Sequence, residues 1–517
     1  MYHLPAKPSS SDVAGLLVLS VALLLTSILA IVVRIVRRKA CYPPGPGSSY
    51  ALRGLLKHRP YELFARWSEQ YASPLVSFSY LGKRVIILNR FEAVDALLNK
   101  RSAAFSDRPL RLAARLCGYD LALSIMCDWR GVRFKKTRKQ LHDALNFRAI
   151  SSEHVYFERA LPSFLASALD RPEKLDEHIA FFFHCMVLAW TLGYKADEAD
   201  TDLLHLAQKV SVNALHLLKP SAKFWFEPFS FLRYIPIWMT GPKASSTLRA
   251  FKSDLSVLIA RSDEYVRKCL ESGGPTSFLF TILKQAVSEE EKSIALYSSV
   301  SLTGGAFDTM TSITMTFFVA MMRFPHVQRK AHEEIDRVVG RCRLPTAADR
   351  PSLVYTDAVL TEVMRWLPPV PLTSRAIRHD EWYEDFLLPR GSTISANIWA
   401  MTRDESLFPA PGEFSPERFL ATSDDSTAGR PKADPRDVRR LVFGFGRRLC
   451  PGQFFADALL WTMVTNVLAT MTISSPGEKQ PPMPEIIDSA IIRFAPFPCK
   501  LTERFEGARN LLHAEKR

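Results

Sequence analysis

The chain holds one cysteine whose neighbours suit it to chemistry. Cys450 lies in FGFGRRLCPG, residues 443–452, among three glycines, two arginines and two phenylalanines. A reactive cysteine acts as a nucleophile, a redox partner or a metal ligand. A nucleophile needs a base, usually His. The nearest histidines along the chain are His379 and His513, and no motif ties either to Cys450. A lone cysteine is most often a small buried hydrophobe, so its setting must argue for more. Gly444, Gly446 and Gly452 allow backbone geometry that turns several amides toward one sulfur. Pro451 has no N–H, which leaves Gly452 and the residues beyond as donors. A helical run, GQFFADALLWTMVTNVL, starts directly after Pro451. Its N-terminus favours a thiolate. Arg447 and Arg448 can hold a carboxylate, and Phe443 and Phe445 can exclude water.

This set describes a buried thiolate beside a flat apolar ligand that carries carboxylates. Haem has those properties. Phe443, Gly446, Arg448, Cys450 and Gly452 follow the pattern FxxGxRxCxG. The stretch resembles the haem-binding signature of cytochrome P-450 enzymes at every specified position, and other segments look like fungal microsomal members. The resemblance implies a mainly α fold with small β-sheets (α+β). It places haem b between a long central helix and the helix after the cysteine loop. Cys450 is then the axial ligand of the iron, with Phe443, Gly446, Arg448 and Gly452 around the cofactor.

Three further motifs stand in the order that the resemblance requires. Glu362 and Arg365, spaced i, i+3, share one face of a helix. An exposed pair of that kind contributes only ~0–1 kcal/mol. With Pro416-Glu417-Arg418-Phe419 downstream, the resemblance joins Glu362, Arg365 and Arg418 into a structural triad. In GGAFDTMTS, residues 304–312, Asp308 and Thr309 match the family's oxygen-activation motif. Met310 replaces a frequent second Thr. Small residues at Gly304, Gly305 and Ala306 open space at a helix surface, and a hydroxyl and a carboxylate beside a gap suit a proton relay. On these residues alone, a helix-packing patch is the blander reading. The family's WxxxR propionate pair has two candidates, Trp129 with Arg133 and Phe134 with Arg138. We prefer Phe134 and Arg138, which replaces the usual Trp and loses one N–H donor. Arg375, after PPVPLTS, stands where the family binds the other propionate.

These residues need elements to position them. Residues 290–323, 325–340 and 352–367 read as long helices. VSFSYLGKRVIILN, residues 76–89, alternates as a hairpin about Gly82-Lys83. EAVDALLNK follows as a short helix, and residues 422–440 read as a long loop. Residues 51–517 show no repeat or internal linker and read as a single catalytic domain. Before it, residues 14–33 form an uncharged apolar run, long enough for one transmembrane helix. Arg34, Arg37, Arg38 and Lys39 follow it. The positive-inside rule then leaves residues 1–13 lumenal and the body cytosolic. Residues 34–50 are a basic stop-transfer and a Pro-rich spacer.

The hydrophobic content of 47% and charged content of 23% exclude wholesale disorder. Eight cysteines without paired spacing exclude a disulfide framework and a zinc cluster. The formal charge is +14. Lys135, Lys136, Arg138, Lys139, Arg436, Arg439, Arg440, Arg447 and Arg448 are expected to form a basic face for an acidic partner. No nucleic-acid motif is present. No dinucleotide fingerprint is present either, so electrons must come from outside. The resemblance implies NADPH-cytochrome P-450 reductase, with cytochrome b5 as a further donor, O2 as co-substrate and the endoplasmic reticulum membrane as location. KFWFEPFSFLRYIPIW, residues 223–238, reads equally as membrane contact or core. Leu110, Leu112, Phe307, Leu372 and Ile491 are expected to line an apolar site for a lipophilic small molecule. The rival readings are a haem-thiolate isomerase or dehydratase that needs no O2, and a non-catalytic haem-binding protein.

Overall fold

The computed structural model describes Thr26 and residues 41–48, 59–80, 82–123, 126–151, 154–195, 201–218, 224, 226–227, 229, 232, 234–273, 277–420, 435–477 and 482–514. The apolar run 14–33 lies outside these residues except for Thr26. Among the described residues no helix is long and apolar enough to cross a membrane.

Helices dominate, and their sequences explain their limits. The central helix spans Glu289–Arg323. The Ser288 side chain caps it by accepting from the Glu291 N–H at 3.2 Å. Glu289, Glu290 and Glu291 oppose the positive end of its dipole and Arg323 the negative end. Past Ser298 nearly every side chain apart from the 301–309 stretch is buried, because other helices pack round it. Pro325 opens the next helix, Pro325–Val338, where a missing N–H costs nothing. The Glu–Arg helix is Val354–Trp366, and the helix after the cysteine is Gln453–Thr470. The latter is apolar on all sides and lies in the middle of the core. The helix Val132–Leu145 buries Phe134, Thr137, Leu141 and Leu145 along one stripe and exposes Lys135 and Lys139.

One four-stranded sheet flanks the helices. Its order is Leu75–Tyr80, Lys83–Leu88, Thr393–Asn397, Leu372–Ala376. The hairpin is present, with Tyr80 opposite Lys83, so Lys83 already belongs to the second strand. Gly82 takes a left-handed φ of 78°, which a two-residue turn requires. The second hairpin strand runs parallel to Thr393–Asn397, and Leu372–Ala376 closes the sheet antiparallel, with Arg375 opposite Ile394.

Two expectations are corrected. The short helix after the hairpin is α-helical only over Phe91–Val94 and continues as a π-helix over Asp95–Lys100. Of the 422–440 stretch, residues 422–434 lie outside the described residues, and Pro435–Val442 is a helix. The Pro-rich spacer docks on the body. The Ser77 N–H donates to the Pro44 carbonyl at 2.8 Å, and Ser77 Oγ to that of Pro43 at 2.6 Å. Tyr42 lies under Arg84, 3.7 Å from its ring centroid, so residues 42–45 dock on the hairpin.

Candidate haem site

The cysteine loop turns on glycines. Gly444 and Gly446 have φ of 82° and 55°. A Cβ on Gly446 would lie 2.1 Å from the Leu98 carbonyl oxygen, so only glycine lets the loop press on the π-helix. Asn99 of that helix accepts from the Gly446 N–H at 2.8 Å, and the Cys450 N–H donates to the Phe443 carbonyl at 2.8 Å. Burial pushes the Cys450 thiol up, while the Gly452 N–H and the charge of Arg138 draw it down. Iron bound at Cys450 would override that balance, since a coordinating thiol is deprotonated outright.

The fit to haem rests on three arginines. Arg375 is 1% exposed, yet its donors reach only Thr373 Oγ1 at 2.8 Å and the Ser374 carbonyl at 3.0 Å. Burial, then Arg108 and Arg448, hold it well below the usual guanidinium range. Arg108 donates to the Ser374 carbonyl at 2.6 Å, and its Nε is buried without a partner. Burial pushes it down to about 10. Arg448 donates to the carbonyls of Ser106, Leu123, Met126 and Cys127, at 2.6–3.2 Å. Burial, then Arg108, push it down to about 9. None of the three donates to a carboxylate among the described residues. Buried cations without an anion are costly. Two propionates supply that anion, so the residues fit the group.

The two WxxxR candidates separate. Arg133 Nη2 donates to the Ser293 carbonyl at 3.1 Å and to Ser293 Oγ at 3.0 Å, at the start of the central helix. Trp129 lies under Arg447, 4.3 Å from its ring centroid. Arg138 is half-buried, and it is the arginine whose charge acts on Cys450. Phe134 packs beneath Arg448. Arg138 and Phe134 thus neighbour Cys450 and Arg448, whereas Arg133 reaches the start of the central helix. Arg108 was missed by sequence reasoning. No motif marks it, and it lies far from Arg375 and Arg448 along the chain.

On the opposite side, Thr309 Oγ1 donates back to the carbonyls of Gly305 and Ala306 at 3.0 and 3.1 Å. A Cβ on Gly305 would meet nothing within 4 Å, so this glycine faces open space. Gly304 does not. Its Cβ would meet the Tyr119 hydroxyl at 3.0 Å, so that glycine makes room for Tyr119. Asp308 is buried and accepts from Ser211 Oγ at 3.3 Å. Burial raises its pKa, and Arg493 opposes the rise. Phe307 is not an open lining residue, because its ring lies against His184 with centroids 3.8 Å apart. Leu112 and Ile491 are buried, and Leu110 and Leu372 partly so.

The triad is assembled. Arg365 donates to Glu362 from Nε at 2.7 Å and Nη2 at 2.8 Å, and Arg418 Nε donates at 3.2 Å. Remaining donors of both arginines reach the carbonyls of Thr402, Pro409, Ala410, Pro411 and Glu413. The basic face is smaller than expected. Arg439 pairs with Asp357 and Asp457, which also bind Arg350. Lys136 pairs with Glu291, and the Arg436 side chain lies outside the described residues. Lys135, Lys139, Arg440 and Arg447 remain exposed.

Residues 43–494 match the family model described as Cytochrome P-450. The cytochrome P-450 monooxygenase claR of Ampulloclitocybe clavipes is 30% identical over 489 residues, which cover 92% of this chain and 89% of that protein. Cytochrome P-450 monooxygenase 208 of Postia placenta is 31% identical, covering 91% and 92%. Cytochrome P-450 monooxygenase ppsD of Aspergillus oryzae is 31% identical, covering 91% and 90%. A zebra fish cytochrome P-450 solved with abiraterone superposes with a TM-score of 0.69 at 19% identity, over 86% of this chain and all of that one, and so shares the fold. A cysteine loop and an arginine cluster that donates to no carboxylate among the described residues have one common explanation on the P-450 fold: the chain belongs to the cytochrome P-450 family and is a haem-thiolate monooxygenase.

Proposed function

We propose that the protein is a membrane-anchored monooxygenase that oxidises a lipophilic small molecule, in fungal secondary metabolism or xenobiotic oxidation. It takes two electrons from NADPH-cytochrome P-450 reductase, with cytochrome b5 as a further donor. Haem b bound through Cys450 supplies dioxygen activation. Arg108, Arg138, Arg375 and Arg448 hold the propionates, and Asp308 and Thr309 move protons on the other side. The observation that carries this reading is the cluster of Arg108, Arg375 and Arg448, none of which donates to a carboxylate among the described residues. The apolar run 14–33 supports an anchor in the endoplasmic reticulum membrane, with the body cytosolic. Exposed Tyr234 and Trp238 suit a second membrane contact, whereas Phe226 is core. Exposed Lys135, Lys139, Arg440 and Arg447 suit an acidic reductase.

The test is a CO difference spectrum of the reduced membrane protein, followed by oxygen uptake with NADPH and reductase. A strongly red-shifted Soret band and NADPH-dependent uptake are expected. A thiolate band without oxygen uptake on any lipophilic probe would favour the isomerase or dehydratase reading.

A further inference from the structure

The central helix carries its acid in an unusual hold. Asp308 has two polar partners from two other elements. Ser211, on the helix Thr201–Leu218, donates to Oδ2 at 3.3 Å. Arg493 Nη1 stands 3.9 Å from Oδ1. The exposure of this pair is unequal: the Arg493 side chain is 41% exposed and that of Asp308 12%. The guanidinium is therefore the solvent-exposed member of the pair.

The backbone fixes the position of Arg493. It belongs to the short strand Arg493–Phe494, paired with Ile486–Ile487. The residue before it is clamped twice. Ser312 Oγ of the central helix donates to the Ile492 carbonyl at 2.6 Å, and the Ile492 N–H donates to Pro369 at 2.8 Å. The residue that leads into the strand of Arg493 is thus hydrogen-bonded to the same helix that presents Asp308. Two further titratable groups nearby, Tyr119 and His184, are uncharged at neutral pH. Tyr119, on the turn Tyr119–Leu121, has its hydroxyl pushed up by burial, with a smaller push from Asp308. His184, on the helix Leu175–Leu192, is pushed down to about 4 by burial. Arg493 is the one cation acting on Asp308 among the described residues.

We propose that Arg493 and Ser211 are positioning residues for Asp308, and that protons enter the relay past the exposed guanidinium of Arg493. This rests on the reading of Asp308 and Thr309 as the relay. Ser211 holds one carboxylate oxygen. Arg493 keeps the other oriented toward water and favours its ionised form, so the acid reloads from solvent between turnovers.

The test uses the full-length holoprotein with Arg493→Ala, Arg493→Lys, Ser211→Ala and Asp308→Asn. The first readout needs no electron supply. It is the infrared band of the protonated Asp308 carboxyl, identified by its loss in Asp308→Asn and titrated with pH. The second is peroxide released per NADPH with reductase. Arg493→Ala removes the cation that favours the carboxylate, so the band should persist to higher pH and peroxide should rise several-fold. Arg493→Lys should restore both in part, and Ser211→Ala should shift both less. An unchanged titration and unchanged coupling in Arg493→Ala, while Asp308→Asn uncouples, overturns the proposal. If Asp308→Asn itself leaves coupling intact, the relay reading fails instead. If Arg493→Ala does not retain haem, Arg493→Lys and Ser211→Ala decide by the same two readouts, and wild-type behaviour in both overturns the proposal.

Discussion

The Arg448 guanidinium lies over the Phe134 ring, 4.2 Å from its centroid. This contact explains how a phenylalanine serves where the family's pattern has Trp. The ring supports the arginine by packing and cation–π attraction, and neither needs an N–H. Phe134→Ala should cost about 3–5 kcal/mol of stability, read by chemical unfolding, and Phe134→Leu clearly less. An alanine variant of wild-type stability would mean that the ring supports nothing.

Arg375 offers a test in which two signs oppose. Arg375→Met removes a buried charge that only neutral groups contact. The haem-free protein should therefore lose no stability. Haem affinity should fall about 10–100-fold, the equivalent of one charged hydrogen bond of about 1.5–3 kcal/mol. Equal loss in both measurements would make Arg375 a packing residue.

Cys450→Ser should abolish the red-shifted ferrous–CO band, because serine offers no thiolate to iron. Absorbance spectra of membranes suffice for this test. A variant that keeps the wild-type band would move the ligand elsewhere.

Glu362 is fully buried against two arginines. Glu362→Ala leaves both charges without their carboxylate and should cost about 3–5 kcal/mol. Loss of folded, haem-loaded protein on expression is the simplest measure, with the urea midpoint for any protein recovered.

His184 predicts an acid sensitivity. Burial holds its folded pKa at about 4, against 6.5 for a free histidine. Between these values the unfolded chain binds a proton that the folded chain refuses. Stability is therefore full above the higher value and falls as pH drops toward the lower one. At about pH 5 the loss amounts to about 2 kcal/mol. His184→Gln should shrink the difference between unfolding curves at about pH 7.5 and about pH 5. An unchanged difference would assign the sensitivity to other groups.

What was legible in the sequence was what local spacing encodes. Cys450 with its glycines, and Glu362 with Arg365, are set by one loop and one helical turn. Arg418 needed the family pattern as well. What stayed hidden was brought together across the chain. Arg108 meets Arg375 and Arg448 only because a loop, a strand and the cysteine turn converge, and no periodicity announces that. Arg439 reads as a surface charge until Asp357 and Asp457 arrive from two other helices. The π-helix at Asp95–Lys100 is equally silent, and Gly446 lies against its Leu98 from far along the chain.

The docking of residues 43–45 on Ser77 bears on how the enzyme is mounted. Ser77 grips two successive carbonyls, and Gly45 lies so close that a Cβ would come within 2.0 Å of the Ser77 oxygen. Whatever precedes Cys41 therefore attaches to a bracket, not to a swivel. Under the proposed membrane anchor, residues 43–45 would set the heading of the body. Gly45→Ala would pry the bracket open and let the body yaw, leaving the chemistry intact but its aim uncertain.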